Sequence, residues 1–137
     1  MKEFGLGKKE KLCSVVAIEH LFGAGGAEFT ALAYPLRIVA RRNARRSSDA
    51  QVAFLISIPK KRLRHAVERV LMRRRVRESY RLLRNSYPLA EGERVDAAFV
   101  YVADRVKSYR SVARAMERLL RALQKHYAPL SPDESPK

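Results

Sequence analysis

Hydrophobic residues recur along the chain in two rhythms. From Lys9 to Phe22, Leu12, Val15, Val16, Ile18, Leu21 and Phe22 return at helical spacing, and Gly23, Gly25 and Gly26 follow. This predicts an amphipathic helix stopped by glycine. Phe29 to Ala40 reads as strand, with Pro35 inside it. Proline donates no ladder hydrogen bond, so this strand is expected at a sheet edge or bulged at Pro35. Arg41 to Asp49 is a polar, basic connection that reads as a hairpin loop. Val52 to Ile58 alternates: Val52, Phe54, Ile56 and Ile58 point one way and Ala53, Leu55 and Ser57 the other, until Pro59 ends the run.

A basic turn, Lys60-Lys61-Arg62, leads to a second helix over about Val67 to Asn85, and Pro88 and Gly92 mark a loop. Val95 to Ala103 is nearly apolar throughout, which predicts a central strand. Ser108 can cap a last helix running to about His126. Val112, Met116, Leu119, Leu120, Leu123 and Tyr127 form its core stripe. Ser131 to Lys137, with two prolines, reads as a frayed tail. The expectation is an α+β chain with an extension over 1–8, one domain over 9–127 and a flexible tail over 128–137.

Charge changes this picture from fold to partner. The chain carries 29 Lys and Arg against 14 Asp and Glu, a net +15. Between Arg37 and Arg84 there are 16 cations and three acids (Asp49, Glu68, Glu78), so that segment holds +13 of the total. Such concentration favours a dedicated polyanion site, with nucleic acid as the first partner and an anionic membrane surface as the second. No apolar run approaches the roughly 18 residues of a membrane span, and the charged N-terminus is followed by no apolar stretch of signal-peptide type. Cys13 is the only cysteine, so no intramolecular disulfide can form and a reducing cytoplasm fits.

The polyanion site can be placed by geometry. Arg69, Arg73, Arg77 and Arg81 recur every four residues, and Arg74 lies beside Arg81. At about 100° per residue, all five fall within about 140° of helix arc. Leu71, Met72, Val76, Ser79, Leu82 and Leu83 occupy the opposite side, and Arg75, near that side, must reach round its edge. Like charges at this spacing destabilise a helix by about 0.2–0.5 kcal/mol per pair. A ligand explains that cost better than solvation does, and the planar guanidinium fork suits phosphate.

The stretch Arg69-Val70-Leu71-Met72-Arg73-Arg74-Arg75-Val76-Arg77-Glu78 resembles the motif R-N-x-x-(K/R)-R-x-x-R-E of the bacterial ribonuclease P protein component family. Arg69, Arg73, Arg74, Arg77 and Glu78 match, whereas Val70 stands where the family has asparagine. Ser57 to Lys61 and Ala66-Val67 resemble the flanking family segments. Leu12 to Phe22 resembles its first helix, and Asp96 to Val102 with Leu119-Leu120 its last strand and helix. The resemblance covers about residues 8 to 126. It implies a mostly antiparallel sheet of about four strands with three helices and a left-handed βαβ crossover, as in a ribosomal-protein-like fold. The pattern shows three strand segments, so four strands imply that Phe29 to Ala40 is broken at Pro35 or that a further short strand lies elsewhere.

The resemblance also implies a function. The protein would be an accessory subunit of an endoribonuclease that removes the 5′ leader of precursor tRNA, with catalysis by the RNA subunit and its bound Mg²⁺. No cofactor would be held by the protein itself. Arg69, Arg73, Arg74, Arg77 and Arg81, with Lys60, Lys61 and Arg62, would bind RNA. Phe22, Phe29 and Phe54 are leader-cleft candidates, Phe22 matching a family aromatic position while Ile18 falls where the family often has a second one. Glu78 would orient neighbouring arginines, Arg74 among them. Core packing is the other reading of Phe22 and Phe54, and the preferred one for Tyr80, Phe99 and Tyr101. His20, His65 and His126 share no metal-ligand spacing, so neither a catalytic residue nor a metal ligand is expected in the protein. A non-catalytic, ribosomal-protein-like RNA-binding module is the alternative, and a self-sufficient nuclease a third reading.

Overall fold

The computed structural model describes residues 27–42, 52–89 and 94–127. Strands β1 (Phe29–Ala33), β2 (Leu36–Arg42), β3 (Val52–Ser57) and β4 (Val95–Tyr101) form one mixed sheet in the order β1-β2-β4-β3. The apolar stretch across Pro35 is two strands. Ala33 faces Leu36 across a turn made of Tyr34 and Pro35, joined by a cis peptide bond. Placed there, Pro35 leaves the β1–β2 ladder intact. The second strand continues through Arg41 and Arg42, which the sequence pattern assigned to a loop.

β4 lies in the interior of the sheet, antiparallel to β2 and parallel to β3, and its run of buried residues accounts for its apolar composition. Helix α1 (Ala66–Leu83), followed by a 3-10 turn (Arg84–Ser86), makes the β3-to-β4 crossover, and α2 (Tyr109–His126) closes the chain. These are two of the three expected helices; the one expected over Lys9 to Phe22 lies outside the described residues, as does Cys13.

Both helices pack on one sheet face. That face receives Leu36, Ile38 and Ala40 from β2, Phe54 from β3, and Val95, Ala97, Phe99 and Tyr101 from β4, with Val52 and Ile56 half-buried beside them. Met72, Val76 and Tyr80 come from α1, and Val112, Met116, Leu119, Leu120 and Leu123 from α2. The period of two sends Val39, Ala53, Leu55 and Ala98 to the opposite face, where they form a second, smaller apolar cluster.

Local chemistry fixes the ends of these elements. Ser108 caps α2, its hydroxyl accepting from the Ser111 amide at 3.2 Å. Tyr127, buried just past α2, donates from its hydroxyl to Glu28 Oε1, which also accepts from the Arg42 amide. One carboxylate therefore ties the start of β1, the end of β2 and the end of α2 together.

Candidate RNA-binding surface

The motif helix buries an arc centred on Met72, Val76, Ser79 and Tyr80. Tyr80 sits against Phe54 at 4.4 Å and Phe99 at 5.6 Å between ring centroids. Leu82, placed on the sheet side by the sequence pattern, is instead 42% exposed. Tyr80 takes the buried position because the packed arc lies further round the helix, over Phe54 and Phe99.

That rotation divides the arginines. Arg73, Arg74 and Arg77 are exposed and form no hydrogen bond or ion pair among the described residues. At about 100° per residue, Arg69 lies only about 20° from Val76 and from Tyr80, at the edge of the buried arc. Its guanidinium turns back and donates to the carbonyls of Leu63 at 2.8 Å and Arg64 at 2.9 Å, holding the preceding turn against the helix. Arg75 reaches round the edge of α1, as its position required, and donates to the Lys107 carbonyl.

Arg81 is committed as well. Its Nε donates to Glu78 Oε1 at 3.1 Å and its Nη2 to Oε2. The partner of Glu78 is therefore Arg81, three residues on, and not Arg74, four residues before. The hydrogen bond from Arg81 holds the Glu78 carboxyl below the ordinary glutamate range against the opposing effect of burial, and the charges of Arg81 and Arg77 add to the lowering.

The basic turn extends the surface. Lys60 and Lys61 are exposed, while Arg62 is half-buried and paired with Asp104 at 3.1 Å. Val67 and Val70, 80% and 51% exposed, add an apolar element to the outer side of α1. Among the described residues no group of three His, Cys, Asp or Glu could hold a metal ion. No described helix is long and apolar enough to cross a membrane.

The aromatic candidates separate in the same way. Phe54 is 6% exposed and enclosed by Tyr80 and Phe99, so its ring is core and presents no open face for a base. Phe29 is half-buried and stacks on His126 at 4.7 Å. Both project from the sheet face that the helices cover. Phe22 lies outside the described residues. On the opposite face, strand alternation places Arg37 and Arg41 on either side of Val39, with Leu55 nearby. Neither arginine was a sequence candidate. The period of two along β2 was the signal that could have found them, once Arg41 is taken as strand.

The ribonuclease P family profile matches residues 6–127, which spans the whole described fold. The chain belongs to the ribonuclease P protein family. It is 38% identical over 120 residues to the ribonuclease P protein component of one Porphyromonas gingivalis strain and 39% over 123 residues to that of another. Each match covers 85% of both chains. Among solved structures, it is similar to the ribonuclease P protein of Staphylococcus aureus, with a TM-score of 0.66 and 14% identity. That match covers 84% of this chain and 95% of the other, a likeness of fold. As a member of this family, the chain is a subunit of a holoenzyme that processes tRNA 5′ ends and not a stand-alone RNA-binding module.

Proposed function

We propose that this protein component supports removal of the 5′ leader from precursor tRNA by binding the RNA subunit through the outer side of α1 and the leader through the sheet. The observation that carries this reading is the set of three outward, unpaired arginines, Arg73, Arg74 and Arg77, on the helix bearing the family motif. A phosphate backbone supplies the counter-charges that the chain itself withholds from them. Lys60 and Lys61 extend the same basic surface, and Arg69 keeps their turn docked on α1. Arg81 contributes through its pair with Glu78.

The leader contact falls to the second sheet face, where Arg37 and Arg41 offer cations beside the apolar Val39 and Leu55. Phe22 remains its aromatic candidate; Phe29, stacked on His126 on the helix-covered face, and Phe54, inside the core, support the sheet from the other side. Single-stranded RNA is held by such combinations of basic groove and aromatic platform. The only acid within the arginine stripe is Glu78, already engaged by Arg81, so the stripe offers no oxygen-rich donor set for Mg²⁺. The metal belongs with the RNA subunit, which carries the hydrolysis. In this reading the β3–α1–β4 crossover is left-handed, the domain spans 9–127 between the short extension and the tail, and the protein works in the cytoplasm.

The test is reconstitution. The protein, its ribonuclease P RNA and a precursor tRNA are mixed at low Mg²⁺, and 5′-end cleavage is followed. Cleavage at the mature 5′ end only with RNA and protein together is the expected result. Cleavage by the protein alone, or RNA binding without stimulation, refutes the assignment.

A further inference from the structure

Among the described residues, the longest run of aligned charge lies on α2, outside the family motif. Arg110, Arg114, Arg118, Arg121 and Lys125 fall within about 80° of helix arc, directly opposite the stripe that Val112, Met116, Leu119 and Leu123 bury in the core. They extend about 22 Å along the helix at 1.5 Å per residue. Arg110, Arg114, Arg118 and Lys125 are exposed and form no hydrogen bond or ion pair among the described residues. The one acid beside them, Glu117, accepts from the Tyr87 hydroxyl at 3.1 Å and lies 3.8 Å from Arg121.

This arrangement works against the helix that carries it. Arg110, Arg114 and Arg118 repel one another at four-residue spacing. The first turn of α2 holds Arg110 and no acid, the reverse of what the helix dipole favours. The amphipathic core stripe requires none of these cations, and solubility is served better by mixed signs.

A polyanion relieves both costs. Five cations along one line suit a continuous phosphate backbone, whereas a membrane would need bulky apolar residues on the same side, and those of α2 are spent in the core. The start of the second stripe also adjoins the end of α1. An open groove of about 330 Å³, lined by Leu83, Tyr109, Arg110, Ala113, Arg114 and Glu117, runs between the end of α1 and the start of α2.

We propose that the outer face of α2 is a second phosphate-binding surface, on which the RNA subunit continues past the groove from the α1 stripe. The inference rests on the RNA subunit being the partner of α1. It assigns that RNA a footprint on two helices, with Arg110, Arg114 and Arg118 as direct phosphate contacts.

The test uses the full chain and the ribonuclease P RNA. Binding is measured across a salt series for the natural protein, the triple variant R110Q/R114Q/R118Q, and the charge-preserving triple R110K/R114K/R118K, with circular dichroism confirming that each is folded. Each lost contact lowers the slope of log affinity against log salt by about 0.7–0.9, so the glutamine triple should lose about 2 to 3 units of slope. The lysine triple should keep it. An unchanged slope in the folded glutamine triple, while the natural protein still stimulates cleavage, overturns the second surface and leaves the subunit assignment standing. A natural protein that neither binds nor stimulates the RNA overturns the assignment itself. Unchanged RNA-subunit binding with weakened precursor tRNA binding by the holoenzyme also overturns the proposal, because the face then belongs to the substrate.

Discussion

Arg69 and Arg73 occupy equivalent-looking positions in one motif, yet the structure predicts opposite consequences for their removal. Arg69→Ala deletes two hydrogen bonds from a cationic donor, to the Leu63 and Arg64 carbonyls at 2.8 and 2.9 Å. Such bonds contribute about 1.5–3 kcal/mol each when well shielded. Arg69 is only half-buried and one of the two bonds is exposed. Taken together, a loss of about 2 kcal/mol follows, less than the roughly 3–6 kcal/mol that two well-shielded bonds would give. With a urea dependence of about 2 kcal/mol per molar for a domain of this size, the unfolding midpoint should fall by about 1 M. Arg73→Ala removes an exposed, unpaired cation that repels Arg77, and its stability should stay within about 0.5 kcal/mol of the natural protein. Its effect appears instead in RNA binding, as a salt slope lower by about 0.7–0.9 units. Urea denaturation and a salt titration on the same two variants decide the matter. Equal urea midpoints for the two would refute the holding role of Arg69, and an unchanged slope for Arg73→Ala would remove that residue from the interface.

Two further outcomes follow from the same geometry. Phe54→Ala should cost about 3–5 kcal/mol as a core deletion, while Phe54→Leu should fold and bind precursor tRNA with undiminished affinity; a tenfold loss of binding in a folded Phe54→Leu protein would return the ring to the leader site. The Glu78 carboxyl should titrate below the ordinary glutamate range by NMR and return to it in Arg81→Gln. Because its folded value is lowered, the stability it lends is present above the ordinary glutamate value and lost as pH falls through the depressed one. A normal titration in the natural protein would show that the pair is open in solution.

Most of the fold could be read from residue patterns because burial here follows simple periods. The alternation of Val52 to Ser57 separates the two faces of β3, and the Val112-to-Tyr127 stripe names the buried side of α2. The hairpin turn at Tyr34-Pro35 is where a proline within an apolar stretch left three outcomes open. The site was less legible. A charge stripe shows where cations cluster but not which are occupied at home, and Arg69 and Arg81 are held by a carbonyl pair and a carboxylate respectively. Phe54 was ambiguous because an aromatic on an alternating strand looks the same whether its face meets a base or Tyr80. The α2 stripe escaped notice for a different reason. Charge summed along the sequence lets Glu91, Glu93, Asp96 and Asp104 cancel the α2 cations, although none of those acids lies on that helix.

The strand order β1-β2-β4-β3 bears on how the protein is made. On the ribosome the β1–β2 hairpin can close as soon as it emerges, but β3 pairs in this sheet only with β4. The 44 residues from Ile58 to Tyr101 must first be translated, which takes roughly 2 to 9 s at about 5–20 residues per second. During that interval the motif helix has been synthesised, and its cations face a surrounding rich in ribosomal and messenger RNA, while the strand that seats it does not yet exist. A nascent chain of this family therefore exposes its RNA-seeking segment before its core can form. Its yield in the cell should depend on how quickly β4 arrives as well as on the stability of the finished fold.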